Sequence, residues 1–199
     1  MKIVVIGATG TIGKAVADAL ATRHEVIRAA RKGDVRVDIE DPTSLAALFD
    51  TVGDIDAVVA CAGEVGGLFG PLDDLSEAQL QRALRFMTNA FHVVRTSARR
   101  VRDGGSITVT TGQLATQPQP GTAALTMAGA GTEGFVRAAA LEMPRGVRLN
   151  SVSPGWIKET MEKMGMDSAI GMPANKLAEY YVRAVEGTMN GTIIDPTSS

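Results

Sequence analysis

Three glycines at three-residue spacing, Gly7, Gly10 and Gly13, stand in the stretch Gly7-Ala8-Thr9-Gly10-Thr11-Ile12-Gly13, directly after the apolar run Lys2 to Ile6. Without a Cβ the chain can turn tightly at Gly7, come close to a pyrophosphate at Gly10, and let a following helix pack close at Gly13. Thr9, Thr11 and Ile12 lie on the same path, where the first N–H groups and the positive dipole end of a helix would receive phosphate. A spaced glycine triplet alone would serve equally as a turn. Its position between a first strand and a first helix meets the context that a dinucleotide-binding loop requires.

The end of the next apolar run bears on which dinucleotide. An NAD site places a carboxylate here to accept from the ribose 2′-hydroxyl, but this chain reads Arg28-Ala29-Ala30-Arg31-Lys32. Two adjacent cations suit a 2′-phosphate, with Arg31 the primary contact and Lys32 its helper, so NADP(H) is the preferred cofactor. Asp34 leaves NAD(H) open, and the two cations would also suit an ordinary solvated turn.

Other reactive side chains are scarce. The two tyrosines are adjacent, Tyr180 and Tyr181, in a stretch expected to be helical, where packing is the expected role. Cys61 ends an apolar run and reads as a small buried residue rather than a thiolate. His24 falls in a turn and His92 on a helix, and no His, Cys and Asp set has metal-ligand spacing, so no metal is expected.

The elements that must position the glycine loop follow from the pattern. Short β-branched runs (Lys2 to Ile6, Glu25 to Ala30, Val35 to Val37, Ile55 to Cys61, Ser106 to Thr111, Val147 to Val152, Thr192 to Ile194) alternate with helical stretches. The helices are expected over Thr11 to Thr22, from Asp41-Pro42, from Ser76-Glu77 to about Arg102, over Ala123 to Glu142 and over Pro173 to Glu186. Asp103-Gly104-Gly105 is expected to end the third, and the loop Glu64 to Leu75 and the segment Trp156 to Met172 to shape the substrate pocket. Such alternation implies an α/β fold: a single Rossmann-like doubly wound parallel sheet with helices on both faces, residues 1–199 forming one domain. Its ligands would lie at the carboxyl ends of the strands.

Composition agrees with that reading. The 199 residues are 45% apolar and 21% charged, with 22 glycines and a formal net charge of −2. A chain of this length buries about 70% of its unfolded surface and needs no staple, consistent with one cysteine and a reducing, cytoplasmic setting. Mixed charge gives no footprint for nucleic acid, and the first apolar run is too short for a signal or a membrane span.

At this point the residues resemble the short-chain dehydrogenase/reductase family over nearly the whole chain. The glycine loop is similar to the family's, in Gly-x-x-Gly-x-x-Gly form. Ala60-Cys61-Ala62-Gly63 is similar to the family's Asn-Asn-Ala-Gly with both asparagines replaced, and Asn89 matches its helix asparagine. Asn150-Ser151-Val152-Ser153-Pro154-Gly155 is similar to the stretch flanking the nicotinamide. The resemblance implies cofactor contacts at Ala62, Gly63, Pro154 and Gly155, a carboxamide contact at Thr160, and an adenine-side role near Asp38. It also implies that the small-residue helix Ala123 to Glu142 joins the Asn89 helix in a homodimer or homotetramer, although small residues would also let it lie close to its own sheet.

The family's serine and Tyr-x-x-x-Lys are missing. The serine position falls on Gly112, or on Thr111 if the register slips by one, and the helix offers Leu125 and Gly129, or Ala124 and Ala128. Hydroxyls and amides remain: Thr110, Thr111, Asn89, Gln113 and Thr126, with Thr111 and Asn89 the catalytic candidates. A threonine can donate a hydrogen bond but is a poor acid. Two functions are therefore expected. One is an atypical NADP(H)-dependent oxidoreductase of a small carbonyl or alcohol substrate; the other is a non-catalytic NADP(H)-binding sensor or assembly protein. Trp156, Met161, Met164 and Met166 would form an adaptable apolar wall or fill a core.

Overall fold

A computed structural model describes residues 1–33, 35–63 and 66–197. Seven parallel strands form one sheet: β1 (Lys2–Ile6), β2 (Glu25–Ala30), β3 (Val35–Arg36), β4 (Ile55–Ala60), β5 (Val101–Thr110), β6 (Arg148–Val152) and β7 (Ile193–Ile194). Their spatial order is β3-β2-β1-β4-β5-β6-β7. The chain therefore builds outward from β1 in one direction and then, from β4 onward, in the other. The junction of β1 and β4 is the switch point at which such sheets bind ligands.

Both faces are covered, which is why the strands read as unbroken apolar runs. On one face α1 (Thr11–Ala21) and α6 (Ala174–Glu186) bury Val16, Leu20, Leu177 and Tyr181 against Ile3, Val5, Ala57 and Val59. On the other, α2 (Pro42–Val52), α3 (Glu77–Ser97) and α4 (Ala123–Ala139) bury Leu45, Phe49, Val93 and Val136 against Val4, Ile6, Val58 and Ile107. Local chemistry sets the helix starts. Asp41 accepts from the Thr43 amide at 2.8 Å ahead of Pro42, and Ser76 and Gln79 form a reciprocal capping box.

The sequence reading differs from this fold in two places. The third helix stops at Ser97, and Asp103-Gly104-Gly105 lies inside β5, where the pairing with β4 is interrupted between Ile55 and Ala57. Gly104 has φ +73°, and a Cβ on Gly105 would stand 2.3 Å from the Asp56 carbonyl oxygen. These glycines thus serve a bulge rather than a helix end. Arg145 ties this region down by donating to the Ala98 and Val101 carbonyls at 3.0 and 2.8 Å. The small-residue helix ends at Ala139 instead of Glu142. The segment Trp156 to Met172, on which no element was placed, contains a short helix, α5 (Lys158–Lys163). Among the described residues no helix is long and apolar enough to cross a membrane.

Candidate functional site

The carboxyl ends of β1, β2, β4 and β5 open into a cavity of about 1060 Å³. Its walls include Ile6, Gly7, Thr9 and Gly10 from the glycine loop, Ala30, Arg31 and Lys32 beyond β2, Asp38 beyond β3, Cys61, Ala62 and Gly63 beyond β4, Asn89 on α3, and Thr110 at the end of β5. The fold thus gathers most of the cofactor residues inferred above.

The glycine loop is shaped by contacts that only a missing Cβ permits. Gly7 has φ +83°, and a Cβ there would lie 2.8 Å from the Ala62 amide nitrogen. A Cβ on Gly13 would stand 2.1 Å from the Gly7 carbonyl oxygen. Gly10 is the N-cap of α1 with extended φ and ψ and no side-chain cap, leaving the first turn of that helix open to an incoming acceptor. Thr11, Ile12 and Gly13 form that first turn and are not part of the cavity walls. Two amides of the loop, Gly7 and Ala8, donate to the Ala29 carbonyl and hold it on the end of β2.

Arginines that the sequence reading missed join the cationic side. Arg82, Arg85, Phe86, Ala90 and Val93 share the cavity wall with Asn89, and their spacing along α3 is that of one helix face. Arg85 stands 3.9 Å from the Glu40 carboxylate, and Arg82 donates to the Gly66 carbonyl at 2.6 Å. The signal was the i, i+3, i+4, i+7 spacing anchored on Asn89. Asp34 and Glu64, one left as a reason for NAD(H) and the other as the start of a pocket loop, lie outside the described residues.

The reacting centre expected from the sequence is assembled differently. Thr111 is buried, 7% exposed, and does not line the cavity. Its hydroxyl donates to Glu133 Oε1 at 3.2 Å and lies 2.9 Å from Ser151 Oγ. Ser153 Oγ donates to the same carboxylate oxygen at 2.9 Å, and the Arg137 guanidinium lies 3.5 Å from the other. Thr111 is therefore corrected from a candidate donor at the reacting centre to a member of a buried network that joins β5 and β6. The cause is strand alternation, which sends successive side chains to opposite faces.

Thr110 faces the other way, donating to the Ala60 carbonyl at 2.8 Å and sharing a hydrogen bond with Tyr181 Oη at 2.7 Å. Cys61 borders the same group, and burial pushes its thiol up to about 12. Tyr181 is fully buried and its phenol is likewise raised, first by burial. These hydroxyls are spent on each other and on the backbone.

Neither register offered for the family's tyrosine and lysine carries the pair, and the residues of both are packed. Leu125 lies against the buried cluster of Leu68, Ala83, Ala124 and Ala128. A Cβ on Gly129 would meet the Ala115 Cβ at 3.1 Å, and one on Gly131 would meet Met87 Sδ at 2.7 Å. Pro154 and Gly155 follow β6 as irregular backbone, where the Gln113 backbone amide donates to the Pro154 carbonyl at 2.9 Å. Thr160 lies on α5. None of Pro154, Gly155 and Thr160 is part of the cavity wall. The Phe69 and Trp156 rings stack with centroids 6.2 Å apart. Among the described residues no cluster of His, Cys, Asp and Glu could hold a metal.

The residues present fit a dinucleotide. The cradle at Gly7 and Gly13 excludes side chains, the helix N-terminus is open, and cations line the cavity beyond β2. No curated protein matches the chain. Among solved structures, the protein lin1944 from Listeria innocua is 34% identical, with a TM-score of 0.91 and coverage of 98% of this chain and 99% of that one. A small-chain dehydrogenase in complex with NADPH is 27% identical, with a TM-score of 0.87 and coverage of 98% and 95%. A short chain dehydrogenase from Mycobacterium smegmatis, 22% identical with a TM-score of 0.84 and coverage of 100% and 92%, shares the fold. The family model described as Enoyl-(Acyl carrier protein) reductase matches residues 2–183. With that match over most of its length and the glycine cradle at its switch point, the chain belongs to the short-chain dehydrogenase/reductase family and is an NAD(P)-type oxidoreductase by that membership.

Proposed function

We propose that the chain is an NADP(H)-dependent oxidoreductase acting on a small carbonyl or alcohol at a site without the Tyr-x-x-x-Lys pair. The observation that carries the reading is the intact glycine cradle beside a cavity edge bearing Arg31 and Lys32. When bound, the cofactor supplies the hydride. The chain's own residues bind and orient: the α1 amides and Gly10 take the diphosphate, Arg31 and Lys32 the 2′-phosphate, and Asp38 borders the adenine side. Ala62 and Gly63 line the path between these ends. Asn89 presents an amide to the cavity.

Reduction of a carbonyl leaves an alkoxide that needs a proton and hydrogen-bond donors. Thr111 is committed to Glu133, Thr110 to Ala60 and Tyr181, and the Cys61 thiol is held too high to release its proton. The proton then comes from water or from the substrate itself, and turnover is slow. A positioned general acid contributes roughly 10²- to 10⁴-fold, so its loss leaves catalysis by orientation measurable.

The packed Leu125 and Gly129 positions favour a second reading, a non-catalytic NADP(H)-binding sensor or assembly protein. In either case the exposed face of α3 and α4, with Phe91 and Met127 beside Gly131 and Gly134, suits a homodimer or homotetramer. The single cysteine suits a reducing cytoplasm.

Binding titrations with NADPH, NADP, NADH and NAD, followed by a carbonyl panel monitored through NADPH absorbance, test the proposal. NADPH binding with slow oxidation by some member of the panel is expected. Binding without oxidation across the panel overturns the oxidoreductase reading, and equal affinity for the oxidised and reduced forms then removes the sensor as well.

A further inference from the structure

The ammonium of Lys163, at the end of α5, donates to Thr11 Oγ1 at 2.8 Å. Thr11 is the first residue of α1, so a full positive charge rests at the positive end of a helix dipole. Its partner there is a neutral hydroxyl, and among the described residues no carboxylate pairs with it. The arrangement lacks an anion.

The reach of this lysine is set by a well-anchored base. The Lys158 amide donates to the Met172 carbonyl at 3.0 Å, and the Met172 amide to the Trp156 carbonyl at 2.8 Å. Ile157 and Met161 are buried at 5% and 3% exposure, which fastens α5 to the body of the protein. Glu159 accepts from the Ala174 amide at 3.0 and 3.1 Å through its two oxygens, tying α5 to the start of α6. A helix held in this way brings Lys163 to the glycine loop without requiring a long side-chain search.

We propose that Lys163 is a ligand of the dinucleotide diphosphate, contributed by the segment after β6 and independent of the 2′-phosphate contacts. The inference rests on the cofactor reading above. An anion at the α1 N-terminus is met by the helix amides and also by the Lys163 ammonium, forming a charge-assisted pair in place of the bond to Thr11. Because Lys163 and Trp156 belong to one anchored segment, the same contact fixes the wall that carries the Phe69–Trp156 stack.

The experiment is equilibrium binding of NADPH, NADH, ADP-ribose and adenosine 2′-phosphate to the wild type, Lys163→Ala, Lys163→Arg and Arg31→Ala. ADP-ribose carries the diphosphate without the nicotinamide, and adenosine 2′-phosphate carries a phosphate without the diphosphate. Lys163→Ala is expected to weaken NADPH, NADH and ADP-ribose by about tenfold each and to leave adenosine 2′-phosphate unchanged, with Lys163→Arg retaining most of the affinity. Arg31→Ala is expected to weaken NADPH and adenosine 2′-phosphate only. Lys163 is exposed, so its replacement leaves the fold intact. Unchanged ADP-ribose affinity in Lys163→Ala, with normal wild-type binding, overturns this proposal alone. A wild type that binds none of the dinucleotides overturns the cofactor reading and this one with it.

Discussion

Gly129 on α4 lies so close to Ala115 that a Cβ built on the glycine would meet the Ala115 Cβ at 3.1 Å. In one of the two registers this position corresponds to the family's lysine, and the 3-10 turn of Gln113–Ala115 stands against it. In that register the chain carries Leu125 and Gly129, and Gly129 is packed too closely to take a long side chain without rearrangement.

Restoring the pair by Leu125→Tyr with Gly129→Lys is accordingly expected to fail. Overpacking at a closely set site costs roughly 1–3 kcal/mol, and Leu125 is part of the small cluster with Leu68 and Ala124. The double variant should unfold at lower urea concentration than the wild type and show no gain in NADPH oxidation. Gly129→Ala should be nearly neutral, since the better helix propensity of alanine, about 1 kcal/mol, offsets a tight methyl contact. A double variant as stable as the wild type, with rates raised a hundredfold, would sink this account.

Gly13 tests the cradle. Its missing Cβ is required because the Gly7 carbonyl oxygen would lie 2.1 Å away, whereas at Gly10 the same oxygen would be 3.3 Å away. Gly13→Ala should displace α1 from the loop, lower stability by about 2 kcal/mol or more, and abolish dinucleotide binding in titrations. Gly10→Ala should keep the fold and lose affinity more modestly. Equal effects at the two positions would argue that the loop is an ordinary turn.

The preference for NADP(H) is read from Arg31 and Lys32, and the double variant Arg31→Ala with Lys32→Ala measures it. A charge-assisted contact to phosphate contributes about 1.5–3 kcal/mol, so NADPH affinity should fall by about ten- to a hundredfold while NADH affinity changes by less than threefold. Calorimetric titration reads both. Parallel losses for the two cofactors would assign these cations to general attraction, in company with Arg82 and Arg85.

Particular residues explain what the sequence made legible. The glycine loop is local, and its spacing and flanks all lie within a dozen residues, so its place between β1 and α1 could be read before the fold was known. The strand alternation predicted the parallel sheet because both-face burial leaves an unbroken apolar run. The side to which Thr111 points was not legible, because a one-residue change of register sends a strand side chain to the opposite face. The bulge at Gly104 and Gly105 was misread because the same glycines that end helices also relieve a close approach to Asp56. Lys163 carries no motif, and only the folding of α5 against α1 brings it to Thr11.

Cys61 gives the chain a pH dependence of stability that one substitution should remove. Burial pushes its thiol from an ordinary value of 9.0 to about 12. In the unfolded chain the thiol loses its proton near that ordinary value, whereas in the folded chain it keeps it, so above that point the folded state binds the extra proton. The contribution is complete below about pH 9 and is lost as pH rises towards the folded value, at up to about 1.4 kcal/mol per pH unit for one proton. Tyr181, raised above its ordinary 10.0 by the same burial, adds a loss of the same sign at higher pH. Urea denaturation at about pH 8, 9.5 and 10.5 should show the wild type losing stability steeply across this range. Cys61→Ala should show a shallower slope up to about pH 10, where Tyr181 takes over. Identical slopes in the two proteins would mean that the thiol ionises in the folded state as freely as in the unfolded one, and the Thr110–Tyr181 group would then be open to solvent.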